Sequence, residues 1–266
     1  PMLFTGEQVG NGEGARVDLA VDPVDGTRLM AEGRPNAISV IAAADRGAMY
    51  NPKDAFYMNK IAVGPEAAGH IDITASVADN VQAVAKAKGV RPNEVTVVVL
   101  DRPRHKQLVD EIRAAGAKVR FIMDGDVAGA IAAAQDTNSI DMAMGVGGTP
   151  EGVITACALK CLGGDIQGML APQSEEEREK VLAAGHDLDH VLTIDELVTS
   201  DNCYFAATGV TNGDMLRGVS YRKNGATTRS LVMRSKSGTV RYVESLHKLA
   251  KLQQYSVVDY SDPTHE

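Results

Sequence analysis

The chain has 266 residues, of which 44% are hydrophobic and 23% are charged, and its 26 glycines complete a balance typical of a globular α/β protein with many tight turns. Its formal net charge of -8 and its pI near 5.3 argue against a nucleic-acid partner, which would need a basic stripe. No apolar run is long enough to cross a bilayer, and no signal-peptide pattern opens the chain, so we expect a cytoplasmic protein without a membrane partner.

The first predicted strand ends in a cluster of polar residues. Apolar residues alternate with Asp18 along residues 17–21, which is a strand pattern, and Pro23 lacks the N–H that further pairing requires, so the strand is predicted to end there. Asp22 and Asp25 offer hard carboxylate oxygens that suit Mg²⁺ or Mn²⁺. An ordinary Pro-Asp-Gly turn is the alternative interpretation.

The same turn is suited to a phosphate group. Gly26 lets the backbone approach a ligand closely, and a helix that begins near Thr27 would direct unpaired N–H groups and the positive end of its dipole at a phosphate oxygen. The Thr27 hydroxyl could then orient an attacking water. The sequence therefore predicts a site for metal and phosphate at residues 22–27.

Short elements follow in the predicted N-terminal lobe, residues 1–91. Residues 37–44 are apolar and are predicted to pair with the first strand, and residues 61–63 form another short strand. Residues 76–88 have apolar positions at helical spacing, and Gly89 is suited to the C-cap of that helix.

From residue 92 onward the pattern alternates between strands and helices. This alternation is typical of a parallel, layered lobe, which we assign to residues 92–252, with a tail at 253–266. Four strands near the C-terminus have the apolar alternation of antiparallel strands. Predicted helices cover residues 104–115, 127–135, 150–162 and 174–184, and predicted strands cover residues 95–100, 119–123, 140–145, 204–207, 218–222, 227–233 and 238–244.

The cysteines do not form a disulfide framework. Cys157, Cys161 and Cys203 make an odd number and contain no Cys-x-x-Cys pair. Cys157 and Cys161 lie four residues apart on a predicted helix, but no His or third Cys stands nearby in sequence to complete a metal site. We expect three reduced thiols that pack in the core.

Two further carboxylates follow the predicted strand at 119–123. Asp124 and Asp126 flank Gly125 and precede a helix, so they would lie at the carboxyl end of a parallel strand, where open α/β sheets bind their ligands. They could bind a metal or accept hydrogen bonds from sugar hydroxyls. The alternative is that Asp126 is the N-cap of the helix, which would stabilise it by roughly 1 kcal/mol.

A glycine-rich segment, residues 145–152, opens the next helix. It is a poor dinucleotide-binding fingerprint, because Pro150 and Glu151 stand where a pyrophosphate would be held. Gly148 and its neighbours permit close approach of a ligand, and Glu151 suits a metal-bound phosphate. The alternative is that Glu151 only interacts favourably with the helix dipole.

Basic and aromatic residues complete the candidate site. Arg102 and Arg104 flank Pro103 directly after a buried strand, and arginine binds phosphate in a bidentate manner. They could hold a second phosphate away from the reacting one, although a basic surface cluster is a close alternative. Tyr57 could stack on a sugar or bond to it, or could be an ordinary core tyrosine.

Seven motifs, in combination and in this order, resemble class II fructose-1,6-bisphosphatases of the bacterial type, which are metal-dependent and lithium-sensitive sugar phosphatases. The resemblance runs almost from end to end and implies an α/β fold, a two-lobed α-β-α-β-α sandwich of the sugar phosphatase type. It also implies that Asp22, Asp25 and Glu151 ligate Mn²⁺ or Mg²⁺. The motifs are AVDPVDGT, NPKDAFYMNK, RPRH, DGDVAGAI, GVGGTPEGV, SDNCYFAATGVTNGD and RSKSGTVR.

The resemblance also implies roles for the other residues. Thr27 is expected to orient or deprotonate the nucleophilic water, with Asp22 and Asp25 as its catalytic partners. Asp25, Gly26 and Thr27 are expected to contact the phosphate. The site for fructose and the distal phosphate is expected to be lined by Tyr57, Arg102, Pro103, Arg104, Asp124, Gly125, Asp126 and Gly148.

Two features depart from the family pattern. The second carboxylate of the DPVDGT turn is often Glu in relatives, whereas Asp25 is one methylene shorter. Relatives also carry metal-binding carboxylates in a segment that precedes the position of Pro1. We therefore expect the ligand set within these residues to be incomplete, and a protein truncated at this point to be inactive.

The expected reaction is direct attack of water on the 1-phosphate of fructose 1,6-bisphosphate, which yields fructose 6-phosphate as gluconeogenesis requires. The expected partner is this small phosphosugar, and the resemblance implies a homo-oligomer, either a dimer or a tetramer. The alternatives are a related sugar or inositol phosphatase and a non-catalytic phosphosugar-binding protein. A nucleotide-binding oxidoreductase is disfavoured by the poor fit of residues 145–152.

Overall fold

Two β-sheets with helices between them form the framework of the protein. A computed structural model describes residues 4–51, 53, 55–135, 139–223 and 225–254. The strands are β1 (Val17–Asp25), β2 (Ile38–Asp45), β3 (Tyr57–Val63), β4 (Thr96–Leu100), β5 (Lys118–Ile122), β6 (Met142–Gly148), β7 (Asp165–Leu170), β8 (Tyr204–Gly209), β9 (Ser220–Arg222), β10 (Gly225–Arg234) and β11 (Thr239–Lys248). The helices are α1 (Thr27–Ala31), α2 (Val77–Lys88), α3 (Lys106–Ala114), α4 (Asp126–Ala132), α5 (Thr149–Leu162), α6 (Glu175–Ala183), α7 (Ile194–Leu197) and α8 (Leu249–Leu252).

The first sheet is antiparallel and has the strand order β1-β2-β8-β10-β11, with β9 paired to β10. β1 pairs with β2, as the apolar patterns predict. The four C-terminal strands predicted from alternation are confirmed as β8 to β11. On β2 the inward-facing residues Ile38, Val40 and Ala42 are buried, so one face of this sheet contributes to the core.

The second sheet is mixed and has the strand order β5-β4-β6-β3-β7. β4 is parallel to β5 and to β6, as the alternation of strands and helices predicts. The sheet as a whole is mixed because β3, from the predicted N-terminal lobe, is antiparallel to both β6 and β7. β7 has no predicted counterpart, since Gly168 interrupts its apolar alternation.

Helices α4 and α5 separate the two sheets. α5 contacts β2 and β8 on one side and β3 and β7 on the other, and ten of its residues are buried, as a helix covered on two sides requires. α2 and α3 cover the far face of the second sheet. The layered α/β fold is confirmed. On the outer face of the first sheet Leu19 and Ile41 are 43% and 42% exposed, so among the described residues no helical layer covers this face. Four of the five predicted layers are therefore present in the described part of the chain.

β1 does not end at Pro23, contrary to the sequence prediction, but continues to Asp25. β1 is an edge strand that pairs with β2 alone, so the missing N–H of Pro23 can face away from the ladder. The pairing register shifts between Asp22 and Asp25. The predicted metal turn is therefore the irregular end of a strand.

The three cysteines are free and buried, as predicted. Cys157 and Cys161 lie on α5, and Cys203 directly precedes β8. All three belong to the core cluster between the two sheets. Their burial fits the predicted packing role.

The division into lobes 1–91 and 92–252 stays a prediction, and each sheet contains strands from both sides of residue 92. The predicted tail at 253–266 lies almost entirely outside the described residues. Within the described part of the chain, no helix combines the length and the apolar character needed to span a membrane.

Leu159→Ala should destabilise the protein by about 2–5 kcal/mol, because Leu159 is fully buried on α5 between the sheets and its truncation leaves a cavity. The measurement is urea unfolding followed by circular dichroism. Leu182→Ala is the matched control, since Leu182 is 46% exposed on α6, and it should change stability by less than about 0.5 kcal/mol. Equal losses in the two variants would contradict the placement of the core.

Candidate active site

One cleft of about 350 Å³ collects nearly all of the residues singled out from the sequence. β4 and β6 are parallel, so their carboxyl ends open on the same edge of the second sheet. Pro103 does not line the cleft; it lines a neighbouring groove and begins a 3₁₀ turn. The predicted residues that do line it are Asp22, Asp25, Gly26, Thr27, Tyr57, Arg102, Arg104, Asp124, Gly125, Asp126, Gly148 and Glu151.

Asp25 is the most deeply buried carboxylate of the cleft, at 4% exposure. Its Oδ2 accepts a hydrogen bond from the backbone N–H of Ala128 on α4, at 3.3 Å. Gly125 leaves space for this carboxylate, because a Cβ at that position would lie 3.3 Å from Asp25 Oδ2. Asp25 therefore sits where the end of β1 meets the start of α4.

The chain after Asp25 turns sharply into α1. Gly26 has φ +87°, a left-handed conformation that favours glycine, and a Cβ there would lie 2.9 Å from Leu29 Cδ1. The helix predicted to begin near Thr27 is confirmed, and Thr27 is exposed in the cleft. The backbone N–H of Arg28 already donates to Asp124 Oδ2 at 3.2 Å, so this N–H is not free for a phosphate.

Asp124 and Asp126 point to different partners. Asp124 accepts a hydrogen bond from the guanidinium of Arg102 at 3.1 Å. The alternative interpretation of Asp126 as a helix N-cap is wrong, because Gly125, with φ +78°, occupies that position and Asp126 is the first residue of α4. The Asp126 carboxylate instead accepts from Lys60 Nζ at 2.5 Å.

Glu151 is held in the first turn of α5, directly above the end of β6. A Cβ at Gly148 would overlap with the Glu151 carboxylate, so a larger residue there would displace this side chain. Glu151 Oε2 is buried and has no hydrogen-bond partner among the described residues, and the same is true of Thr149 Oγ1. The predicted glycine-rich turn is in fact the last part of β6, and the helix follows it without a loop.

Burial, together with the crowding of acids, raises the pKa values of three carboxyl groups in the cleft. Burial, followed by the negative charges of Asp126 and Asp22, raises the pKa of Asp25 well above that of an ordinary carboxyl group. Burial and Asp126 also raise the pKa of Glu151. Burial, with added repulsion from Asp126 and Asp124, raises the pKa of Asp22. The cleft therefore favours the binding of a positive charge.

The basic and aromatic residues are held by hydrogen bonds to the sheet edge. Arg104 donates to the carbonyl of Val146 at 2.7 Å and lies 5.4 Å from the ring centre of Tyr57. His105 Nδ1 donates to the carbonyl of Leu100 at 2.7 Å, and its Nε2 accepts the N–H of Val146 at 2.8 Å. Burial lowers the pKa of His105, which agrees with this neutral form.

The residues of the cleft fit a divalent cation. An unpartnered buried oxygen such as Glu151 Oε2 is costly unless a cation compensates it, and carboxylates are ligands that Mg²⁺ and Mn²⁺ prefer. Among the described residues, no three Asp, Glu, His or Cys side chains converge closely enough to form a complete cage. A bound ion would therefore retain water ligands or take further ligands.

Sequence reasoning missed two polar residues beside the cleft, Lys60 and His105, which line an adjoining cavity together with Asp126. Lys60 lies on β3 between Met58 and Ala62 on the same buried face, and a charge at such a position is the signal that could have found it. His105 follows the predicted arginine pair directly, but its partner Val146 is 41 residues away in sequence. The cleft is also lined by Val24, Leu100 and Gly147.

A layered α/β fold and an acidic cleft that arginines also line are the arrangement expected of a metal-dependent phosphatase. A family model described as bacterial fructose-1,6-bisphosphatase, glpX-encoded, matches residues 1–247. The chain therefore belongs to this family. The resemblance inferred from the sequence motifs is confirmed.

Curated class 2 fructose-1,6-bisphosphatases are similar to the chain along most of its length. Fructose-1,6-bisphosphatase 1 class 2 of Escherichia coli strain K12 is 41% identical over 262 residues, which cover 94% of this chain and 78% of the relative. Proteins named fructose-1,6-bisphosphatase class 2 from Escherichia coli O6:H1 and from Shigella flexneri match with the same identity and coverage.

Asp25→Asn should raise the melting temperature of the metal-free protein at pH 7 by about 3 °C. The raised pKa of Asp25 means that its charged form destabilises the fold, and this cost grows as the pH rises from about 4 through the folded-state pKa. The gain should therefore shrink at pH 5. The measurement is thermal unfolding in EDTA at both pH values.

Asp187→Asn is the matched control for this prediction. Asp187 is exposed, and its Oδ1 accepts the N–H of Asp189 at 2.9 Å, a bond that an amide oxygen can also accept. This variant should melt within about 1 °C of the wild type at both pH values. An Asp25→Asn effect that is equal at pH 5 and pH 7 would contradict the electrostatic origin.

Proposed function

We propose that this protein hydrolyses the 1-phosphate of fructose 1,6-bisphosphate to fructose 6-phosphate and phosphate, with Mn²⁺ or Mg²⁺ as the required cation. Membership of the family supports this activity. The observation that carries the site is the buried, unpartnered Glu151 Oε2 in a cleft shared with Asp25 and the arginines. Such a reaction serves gluconeogenesis, and we place it in the cytoplasm.

Asp22, Asp25 and Glu151 would hold the cation. They come from the end of β1 and the start of α5, so folding must bring them together before an ion can be held. When bound, a divalent cation would lower the pKa of a coordinated water and neutralise charge on the leaving oxygen. The depth of Asp25 supports this assignment, because a buried carboxylate without a cation is unfavourable.

Thr27 would orient or deprotonate the water that attacks phosphorus. Its hydroxyl lies in the cleft, two residues after Asp25, so the same irregular strand end supplies both a metal ligand and the hydroxyl. Gly26 and Asp25 would contact the reacting phosphate beside it. The left-handed turn at Gly26 permits that close approach.

The arginines support a substrate with a second phosphate. Arg102 donates hydrogen bonds to the carbonyls of Asp101 and Met123 and to the carboxylate of Asp124, and these bonds fix its guanidinium. Further N–H groups of the guanidinium stay available as donors. Arg104 is held in the same way against the sheet edge. The distal phosphate and the fructose would be bound by Tyr57, Arg102, Arg104, Asp124, Gly125, Asp126 and Gly148. Pro103 lies outside the cleft and is not part of this set.

We also propose a homo-oligomer, either a dimer or a tetramer. β11 is an edge strand that pairs with β10 alone, and it exposes Tyr242 and Leu246, which are 64% and 72% exposed. Long edges with exposed apolar side chains favour association. Light scattering after size-exclusion chromatography measures the mass of the particle in solution and therefore the number of chains in it.

The activity is tested by phosphate release from fructose 1,6-bisphosphate, sedoheptulose 1,7-bisphosphate and inositol 1-phosphate by the full-length protein, with Mn²⁺, with Mg²⁺ or with EDTA. We expect release from fructose 1,6-bisphosphate that requires metal and leaves fructose 6-phosphate. Preference for inositol 1-phosphate would instead assign a related phosphatase. Binding of the sugar phosphate without release would identify a non-catalytic binding protein.

Glu151→Gln should lower kcat by about 10²-fold or more and weaken Mn²⁺ binding, because the amide keeps the shape of the side chain and loses its charge. Steady-state kinetics and calorimetric titration with Mn²⁺ measure the two effects. Glu177→Gln is the matched control, since Glu177 stands at the same position in the first turn of α6. If Glu151 acts only on the helix dipole, neither variant will change metal binding.

Thr27→Ala should lower kcat by about 10²-fold without changing Mn²⁺ binding, because the hydroxyl that orients the water is lost. Thr27→Ser restores the hydroxyl and should recover most of the activity. Circular dichroism should be the same for all three proteins, since Thr27 is exposed. Turnover near the wild-type rate in Thr27→Ala would refute this role.

A further inference from the structure

Lys60, on β3, joins three elements around the cleft. Its Nζ donates to Asp126 Oδ2 at 2.5 Å and to the carbonyl of Gly148 at 3.0 Å, and its side chain is only 11% exposed. Asp126 begins α4, and Gly148 ends β6. One ammonium group therefore connects the sheet to both segments that carry acidic residues of the cleft.

The surroundings of Lys60 leave space for its contact with Asp126. A Cβ at Gly147 would lie 3.0 Å from Lys60 Nζ and would overlap with the Asp126 carboxylate. Lys60 also shares its face of β3 with Met58 and Ala62, which are both buried. An apolar residue would follow this pattern more closely than a lysine does.

Stability does not account for a buried lysine at this position. Removing an ammonium and a carboxylate from water is costly, and replacing a buried ion pair with apolar residues is often neutral or stabilising. The ion pair between Lys60 and Asp126 is largely buried. The effect of Lys60 on Asp126 therefore explains this lysine better than stability does.

We propose that Lys60 is a positioning residue, which holds one oxygen of Asp126 so that the other accepts a hydrogen bond from a substrate hydroxyl and stays out of the metal ligand set. Asp126 lines the cleft and keeps 20% of its side chain exposed, so it is accessible to a ligand. This inference rests on the proposed function, in which Asp126 is a substrate contact.

The neighbouring acids explain why Asp126 needs a fixed counter-charge. Besides burial, the charge of Asp126 raises the pKa of Asp22, of Asp25 and of Glu151. Lys60 opposes this effect and lowers the pKa of Glu151. A carboxylate bonded to an ammonium group also competes less for a cation than an unpaired one.

The test compares single and double variants of the full-length protein. Lys60→Met and Asp126→Asn should each raise the KM for fructose 1,6-bisphosphate, and the Kd for fructose 6-phosphate measured by calorimetry, by about tenfold, with kcat changed by less than about threefold. Because Lys60 acts through Asp126, the KM and the Kd of the double variant should be no higher than those of Asp126→Asn. Independent effects, which would multiply to about a hundredfold, would overturn the proposal.

Lys88→Met controls for the loss of a partly buried lysine. Lys88, on α2, is 22% exposed and pairs with Asp141 at 2.6 Å and with Glu66 at 3.2 Å, outside the cleft. This variant should lower the melting temperature and leave KM unchanged. The same behaviour in Lys60→Met would show a purely structural ion pair. Lys60→Gln keeps a polar end and replaces Lys60→Met if the latter does not fold.

The binding measurement separates this inference from the proposed function. Fructose 6-phosphate binding without any phosphate release would refute the proposed hydrolysis, while the comparison of single and double variants would still decide the role of Lys60. If the wild-type protein neither releases phosphate from fructose 1,6-bisphosphate nor binds fructose 6-phosphate, both the function and the positioning role are wrong.

Discussion

Electrostatic repulsion among carboxylates gathered in one partly buried cleft is the constraint to which the rest of the structure responds. The fold compensates part of this charge: Lys60 bonds to Asp126, and the N–H of Ala128 bonds to Asp25. Glu151 keeps an oxygen without a partner among the described residues. A bound cation would compensate the remaining charge, so cation binding would also stabilise the cleft. A metal-dependent phosphatase would gain from this arrangement, because the negative charge attracts the cation that its reaction requires.

The cleft depends equally on the absence of side chains. β6 ends in glycines, and a Cβ at Gly148 would overlap with Glu151, while one at Gly147 would overlap with Asp126. The backbone of this strand therefore passes directly beneath the acids. Gly26 serves another purpose, since its left-handed φ turns the chain from β1 into α1. These positions have a steric basis, and alanine at any of them would disturb the site without removing a functional group.

The insertion of β3 into the second sheet gives the site its remaining parts. β3 is antiparallel to β6, and this register places Tyr57 opposite Gly148 and Lys60 opposite Gly145. His105 secures the other edge, because it bridges the carbonyl of Leu100 and the N–H of Val146. Lys60 and His105 both act through hydrogen bonds to the backbone or to another side chain. His105 thereby connects the segment that carries Arg102 and Arg104 to β6.

The sequence alone determined the features that have local causes. Gly89 caps α2 where it was predicted, because capping depends on neighbours within one turn, and the contiguous motifs were sufficient to indicate the chemistry of the site. Only the tertiary structure decided that Pro23 lies within an edge strand and that Gly125, not Asp126, caps α4. It alone paired Lys60 with Asp126, which lie 66 residues apart. Strand order and register bring such residues together, and the periodicity of a sequence encodes which face a residue takes but not which strand lies beside it.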